Sequence, residues 1–167
     1  SKPADSTDDE TPFGIDYWVV GASGTPSFQG GNPSGFTSGR ANISSSTYTR
    51  FQNWAGVYTD ISRADLVAKM REAAWQCGFK SPINLPEYSG KSNHAYYTTY
   101  DVVAQFETLL EGQNENLGND VAAKDGMVKF RGNNVVAVPK LQRDNASTDP
   151  VYGVDWGTMK VVVKSGG

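Results

Sequence analysis

One histidine, one cysteine and eighteen carboxylates are the groups with which this chain could do chemistry. A single His94 rules out a zinc site built on two or more imidazoles, and a single Cys77 rules out both cysteine-rich metal sites and an intrachain disulfide framework. His94 stands among Asn93, Tyr96 and Tyr97, which read as a polar aromatic turn, so the imidazole is expected at the surface and not as a general base. With one histidine, no nucleophile–base pair can be put together for a hydrolase. Neither a P-loop nor a G-x-G-x-x-G run occurs, so no enzyme activity and no cofactor are expected.

Paired carboxylates remain, because two of them suffice for glycoside hydrolysis. Asp8, Asp9 and Glu10 fall in a lead-in, residues 1–11, whose acidic, Ser/Thr/Pro-bearing composition predicts disorder. Asp60 and Asp65 flank a helix start, where they complement the dipole, and Asp65 precedes Lys69 by four residues. Asp120 and Asp125 with Asn114, Asn116, Asn119 and Asn133 offer oxygens to calcium, but their spacing is not that of an EF-hand loop. A polar solvent loop accounts for the same residues, and no metal site is expected.

The elements that would position these groups are legible at different strengths. A helix is predicted from Ser62, which can cap it with Asp65 three residues on, to Gly78, a left-handed C-cap. Leu66, Val67, Met70, Ala73, Ala74 and Cys77 form its apolar stripe, with Cys77 a small buried hydrophobe. A second helix spans Thr99 to Glu111, with Val102, Val103, Phe106, Leu109 and Leu110 inward and Gly112 as its stop. Strands are predicted at Met127 to Phe130 and Val135 to Val138, joined by Arg131-Gly132-Asn133-Asn134 as a hairpin and ended by Pro139. After a polar loop from Asp144 to Pro150, Val151 to Trp156 and Met159 to Val163 form a second hairpin across Gly157-Thr158. Leu66, Met70, Phe106, Leu110, Val136 and Val162 are the predicted core.

Residues 12–56 are different, because glycines interrupt every apolar run except the strand-like Tyr17-Trp18-Val19-Val20. The stretch is too aromatic for a flexible linker. We read it as an extended excursion that docks on a partner, or else as a loop covering its own core; Tyr17, Trp18, Phe28, Phe36, Phe51 and Trp54 are the candidate contact residues. The chain so divides into residues 1–11, 12–56, a helix region 57–98 and an α+β lobe 99–167. Fifteen basic against eighteen acidic residues give a net charge of −3, with no long Lys/Arg run, which argues against a surface built to neutralise nucleic acid phosphates. No run approaches the roughly 18 apolar residues needed to cross a bilayer.

Two blocks carry a family resemblance. The "FRG" turn into "VVAVPKL", a polar loop and "DPVYGVDWGTMKVV" resemble the C-terminal part of tailed-bacteriophage major capsid proteins; "TPFGIDYWVVGASG", a Gly-rich stretch, "NW" and an amphipathic helix are similar to an earlier region of the same family, in the same order. The resemblance spans about Pro12 to Val163. It implies an α+β subunit of the Hong Kong 97-type fold, with the Ser62–Gly78 helix as spine, the second helix in the axial lobe and the Gly/aromatic stretch as all or part of a hairpin reaching over a neighbour. It further implies self-assembly through pentamers and hexamers into an icosahedral virion shell around packaged double-stranded DNA, contacted non-specifically, by subunits made in the bacterial cytoplasm. Complete subunits of the family are longer than this chain. The rival reading is a β-rich carbohydrate-binding or adhesion module whose Tyr and Trp side chains, among them Tyr88, Tyr100 and Trp156, stack on sugar rings.

Overall fold

The fold follows from a computed structural model, which describes residues 14–21, 24–33, 35–79, 93–111, 128–145 and 148–159. The chain is α+β. It divides into two compact units, one of Ser1–Thr59 with Lys69–Cys77, the other of Asp60–Ala68 with Gly78–Gly167. These bounds cut across the four regions read from the sequence, because the helix after Ser62 contributes residues to both units.

In the first unit, the expected strand at Tyr17 to Val20 is instead a single helical turn, α1 (Ile15–Trp18). The Gly14 carbonyl accepts the Tyr17 N–H at 3.0 Å and the Ile15 carbonyl accepts that of Val19 at 3.0 Å. One turn is too short for a periodicity to betray it, and the apolar run Tyr-Trp-Val-Val reads equally as a strand. β1 (Ser27–Gln29) and β2 (Asn53–Ala55) pair antiparallel, with Phe28 opposite Trp54, as a short ribbon that the glycines around it had hidden.

Helix α2 (Leu66–Gln76) is close to the predicted one. Ser62 Oγ accepts the Asp65 N–H at 3.2 Å, and Gly78 takes φ +66°, the left-handed conformation a helix stop uses. Leu66, Val67, Met70 and Ala74 are buried, but Cys77 is exposed, against expectation: it lies in the turn after the helix, where the stripe no longer governs direction.

The second unit holds a four-stranded mixed sheet of β3 (His94–Thr98), β4 (Lys129–Phe130), β5 (Asn133–Ala137) and β6 (Tyr152–Asp155), in the order β4-β5-β3-β6. β3 runs parallel to β5 and antiparallel to β6. The segment read as a polar aromatic turn is therefore a central strand, its His-Ala-Tyr-Tyr-Thr being aromatic and β-branched enough to pack on a pleated surface. A β4–β5 hairpin forms as expected, but its turn is Arg131-Gly132 alone, at φ +52° and +80°, both left-handed as a tight two-residue turn requires, and Asn133 and Asn134, read as turn, pair in β5. Among the described residues, β6 pairs with β3. The expected strand at Met159 to Val163 lies outside the described residues beyond Met159, which is itself outside any strand.

Helix α3 (Tyr100–Glu111) matches the prediction, burying Val102, Val103 and Phe106. Its start is well supplied with acceptors. Gln142 Oε1 takes the Tyr100 N–H at 2.8 Å, and Asp101 in the first turn accepts from Gln142 Nε2 at 2.8 Å, an anion where the dipole favours one. Gln142 belongs to α4 (Pro139–Asn145), which contacts α3 and was read from sequence as a strand stop and a loop. Pro139 opens this helix, since its missing N–H has no intrahelical acceptor there anyway. Thr98 Oγ1 on the Pro150 carbonyl (3.0 Å) and Thr99 Oγ1 on Asp149 Oδ1 (2.7 Å) satisfy two fully buried hydroxyls at the β3–α3 junction.

Val136, placed in the core by the sequence, is 40% exposed, while Val135 and Asn133 point inward. A strand alternates strictly, so only one of two adjacent valines can face the covered side of the sheet. Leu110 and Val162 lie outside the described side chains.

Candidate functional site

Tyr17 organises the first unit. The α1 turn carries it inward to 1% exposure, where its ring meets Trp18 edge-on at 5.0 Å and Phe36 at 4.9 Å. Both of its oxygens are used. The backbone carbonyl accepts Arg40 Nε–H at 2.9 Å, and the phenol oxygen accepts the Ala41 N–H at 2.6 Å. Arg40 itself is only 4% exposed, and burial pulls its pKa below the usual guanidinium value against a smaller opposing effect of Tyr17.

The loop behind Arg40 has little freedom. Gly39 adopts φ +88°, a Cβ there would stand 2.2 Å from the Ile43 carbonyl oxygen, and Ala41 and Asn42 are both left-handed. The Ile43 N–H closes the turn on the Arg40 carbonyl at 2.8 Å.

Of the six contact candidates, Tyr17 and Phe36 are thus spent on the interior of their own unit and present no surface. Trp18, Phe51 and Trp54 are half-buried, and Phe28 is 47% exposed with its ring edge-on to Trp54 at 5.2 Å. Asn53 ties this ribbon to the chain leaving α1 by accepting the Val20 N–H (2.8 Å) and donating to the Val20 carbonyl (2.9 Å). The residue that sequence reasoning missed is Trp75, 79% exposed on α2. Its position was legible: it lies off the Leu66–Met70–Ala74 stripe, between Glu72 and Gln76.

In the second unit, one face of the sheet is closed. Tyr96 and Val135 are buried there, Phe130 meets the Tyr96 ring edge-on at 5.4 Å, and Phe79 lies parallel to His94 at 4.4 Å. Gly153 sits opposite Tyr96, and a Cβ there would come within 3.1 Å of Phe79 and 3.2 Å of Tyr96, so a side chain would push the rings apart. His94 is only partly exposed and not a surface residue in a turn. It faces Asp155 across the β3–β6 register, Nε2 to Oδ2 3.4 Å, while Asp155 Oδ1 accepts the Gly157 N–H at 2.8 Å. The pair therefore fastens the end of β6 and the turn that follows it.

The opposite face carries a row across three strands, Val136, Tyr97 and Tyr152, at one register. Trp156 joins it, edge-on to Tyr97 at 5.9 Å, with its indole N–H on the Tyr97 hydroxyl. Of the oxygens considered for calcium, Asn133 is buried in β5 and the others lie outside the described residues; among the described residues no cluster of three His, Cys, Asp or Glu side chains could hold a metal. Against protein-family models, curated proteins and solved structures, the chain finds no match.

Proposed function

We infer that the chain is a structural subunit of a tailed-bacteriophage-type capsid, with the Hong Kong 97-type arrangement, whose work is self-assembly into pentamers and hexamers of a shell around double-stranded DNA and which catalyses nothing. The observation that carries this reading is the set of large apolar side chains that each unit leaves in water. Phe28, Val57 and Trp75 on the first, and Tyr100, Val136, Trp156 and Met159 on the second, are all exposed. Single exposed apolar residues are ordinary, but a tryptophan with 79% of its surface in water is the residue type that most often anchors a protein interface. The order of the sequence blocks supports the same reading. Among the described residues, no helix is long and apolar enough to cross a membrane.

Electron microscopy of the purified chain, together with its mass in solution, tests the proposal. Closed shells or five- and six-membered rings are the expected result, and Phe28→Ser with Trp75→Ser should abolish them while leaving the melting temperature in place. A chain that stays monomeric at every concentration overturns it. The carbohydrate-binding alternative rests on exposed Trp156 beside half-buried Tyr97 and Tyr152, since such rings stack on sugars; saturable oligosaccharide binding by the monomer, lost in Trp156→Ala, would favour it instead.

A further inference from the structure

The one Asp–Pro bond of the chain, Asp149-Pro150, follows a left-handed residue, Asp149 having φ +41°. Left-handed backbone is uncommon for any residue with a side chain, and a following proline favours extended backbone, so this conformation is held by its surroundings. Those surroundings are the junction of β3 and α3. Thr99 Oγ1 donates to Asp149 Oδ1 at 2.7 Å and Thr98 Oγ1 donates to the Pro150 carbonyl at 3.0 Å, both threonines being fully covered. The peptide bond between Asp149 and Pro150 is therefore gripped on both sides by adjacent residues of one strand–helix junction. One grip is on the group that can attack it. An aspartyl carboxyl oxygen reaches its own main-chain carbonyl carbon in a five-membered ring, and the proline nitrogen, more basic than an ordinary amide nitrogen, leaves more readily. Fixing the carboxyl beforehand removes rotational freedom that a flexible chain must lose on the way to reaction.

We propose that Asp149-Pro150 is a self-cleavage site, with Asp149 as the nucleophile and Thr99 as the residue that positions it. The carboxyl oxygen of Asp149 bonds to its own carbonyl carbon, the bond from that carbon to Pro150 N breaks, and the electron pair and the carboxyl proton both go to the nitrogen. Solvent water then opens the cyclic anhydride. Asp149 so ends one piece with two carboxyl groups, and Pro150 begins the other as a secondary amine. Nothing is oxidised or reduced and no substrate is turned over; the event occurs once per chain and does not require assembly. Because the reacting carboxyl carries its proton, mild acid favours the step. Strand β6 stays paired with β3 after the cut, so the two pieces part only when the chain is unfolded.

The test is incubation of the folded chain at about pH 5, near the upper end of the carboxyl range, followed by denaturing separation and mass measurement. The expected products are residues 1–149 and 150–167, with masses that sum to that of the chain plus one water. The folded chain should be cut about tenfold faster or more than the same chain in urea at the same pH, since only the fold holds the carboxyl. Asp149→Gly suits the left-handed backbone and lacks the carboxyl, and should give no cut. Thr99→Val keeps the shape and removes the donor; shown by its melting transition to be folded at the incubation temperature, it should be cut more slowly than wild type, with the two alike in urea. Thr99→Ser restores the hydroxyl and should recover the wild-type rate. Equal rates in the folded and unfolded chain overturn the proposal, leaving only the ordinary acid lability of an Asp–Pro bond. So do the absence of any cut, a cut that persists in Asp149→Gly, and equal rates in folded Thr99→Val and Thr99→Ser.

Discussion

Trp156 donates its indole N–H to the hydroxyl of Tyr97 at 2.7 Å, across the open face of the sheet. The bond holds an exposed tryptophan in one orientation beside the turn that His94 and Asp155 fasten. Tyr97→Phe keeps the ring and removes the acceptor. It should cost about 0.5–1.5 kcal/mol and speed exchange of the indole proton with water, read on the NMR signal that Trp156→Phe deletes. Unchanged exchange would show that the bond does not form in solution.

Covered and exposed apolar positions should respond very differently to the same substitution. Phe106→Asp on α3 and Met70→Asp on α2 bury an unpaired charge and lose apolar packing, and each should cost on the order of 3 kcal/mol or more in denaturant unfolding. Val136→Asp, on the exposed side, should cost less than about 1 kcal/mol. A loss at Val136 as large as that at Phe106 would mean that Val136 is covered and not in water.

Gly39 and Gly78 both hold left-handed backbone, at φ +88° and +66°, but of the two only Gly39 also lacks room. Gly78→Ala should cost about 1–2 kcal/mol, the conformational penalty alone. Gly39→Ala adds a clash with the Ile43 carbonyl, which no rotamer change relieves, and should cost clearly more. Chemical denaturation of the two variants side by side decides it.

Cys77 is exposed, yet desolvation of the thiol raises its pKa, with the Trp54 backbone opposing more weakly. Because the thiolate is the nucleophile, a raised pKa means less of it at neutral pH and slower alkylation than for a free thiol. Labelling with iodoacetamide should therefore go to completion but slowly, its rate climbing through a midpoint above the ordinary thiol value. A midpoint below that value would contradict the desolvation.

Where a segment was long and periodic, its residues alone determined the element. Helices α2 and α3 each repeat an apolar stripe over three turns, and Gly78 can adopt the left-handed stop at no steric cost, so neither needed a neighbour to be recognised. The β4–β5 hairpin was legible for the same local reason, a Gly-containing turn between two β-rich runs. The α+β class followed from these parts, as did the lack of a multi-histidine or multi-cysteine metal site, which composition excludes wherever the residues fall.

Tertiary structure decided the rest, because those choices are made by partners distant in sequence. His94 to Thr98 is a strand since Val135 and Val154 lie on either side of it, α1 is a turn since Tyr17 finds Arg40 and Phe36, and α4 caps α3 through Gln142, 42 residues from Tyr100. The same holds for the surface. Tyr17 and Phe28 carry equally aromatic side chains in the same Gly-rich stretch, and no local rule says which will be covered; the Arg40 and Ala41 donors that draw Tyr17 inward, and leave Phe28 in water, come from a turn more than twenty residues away.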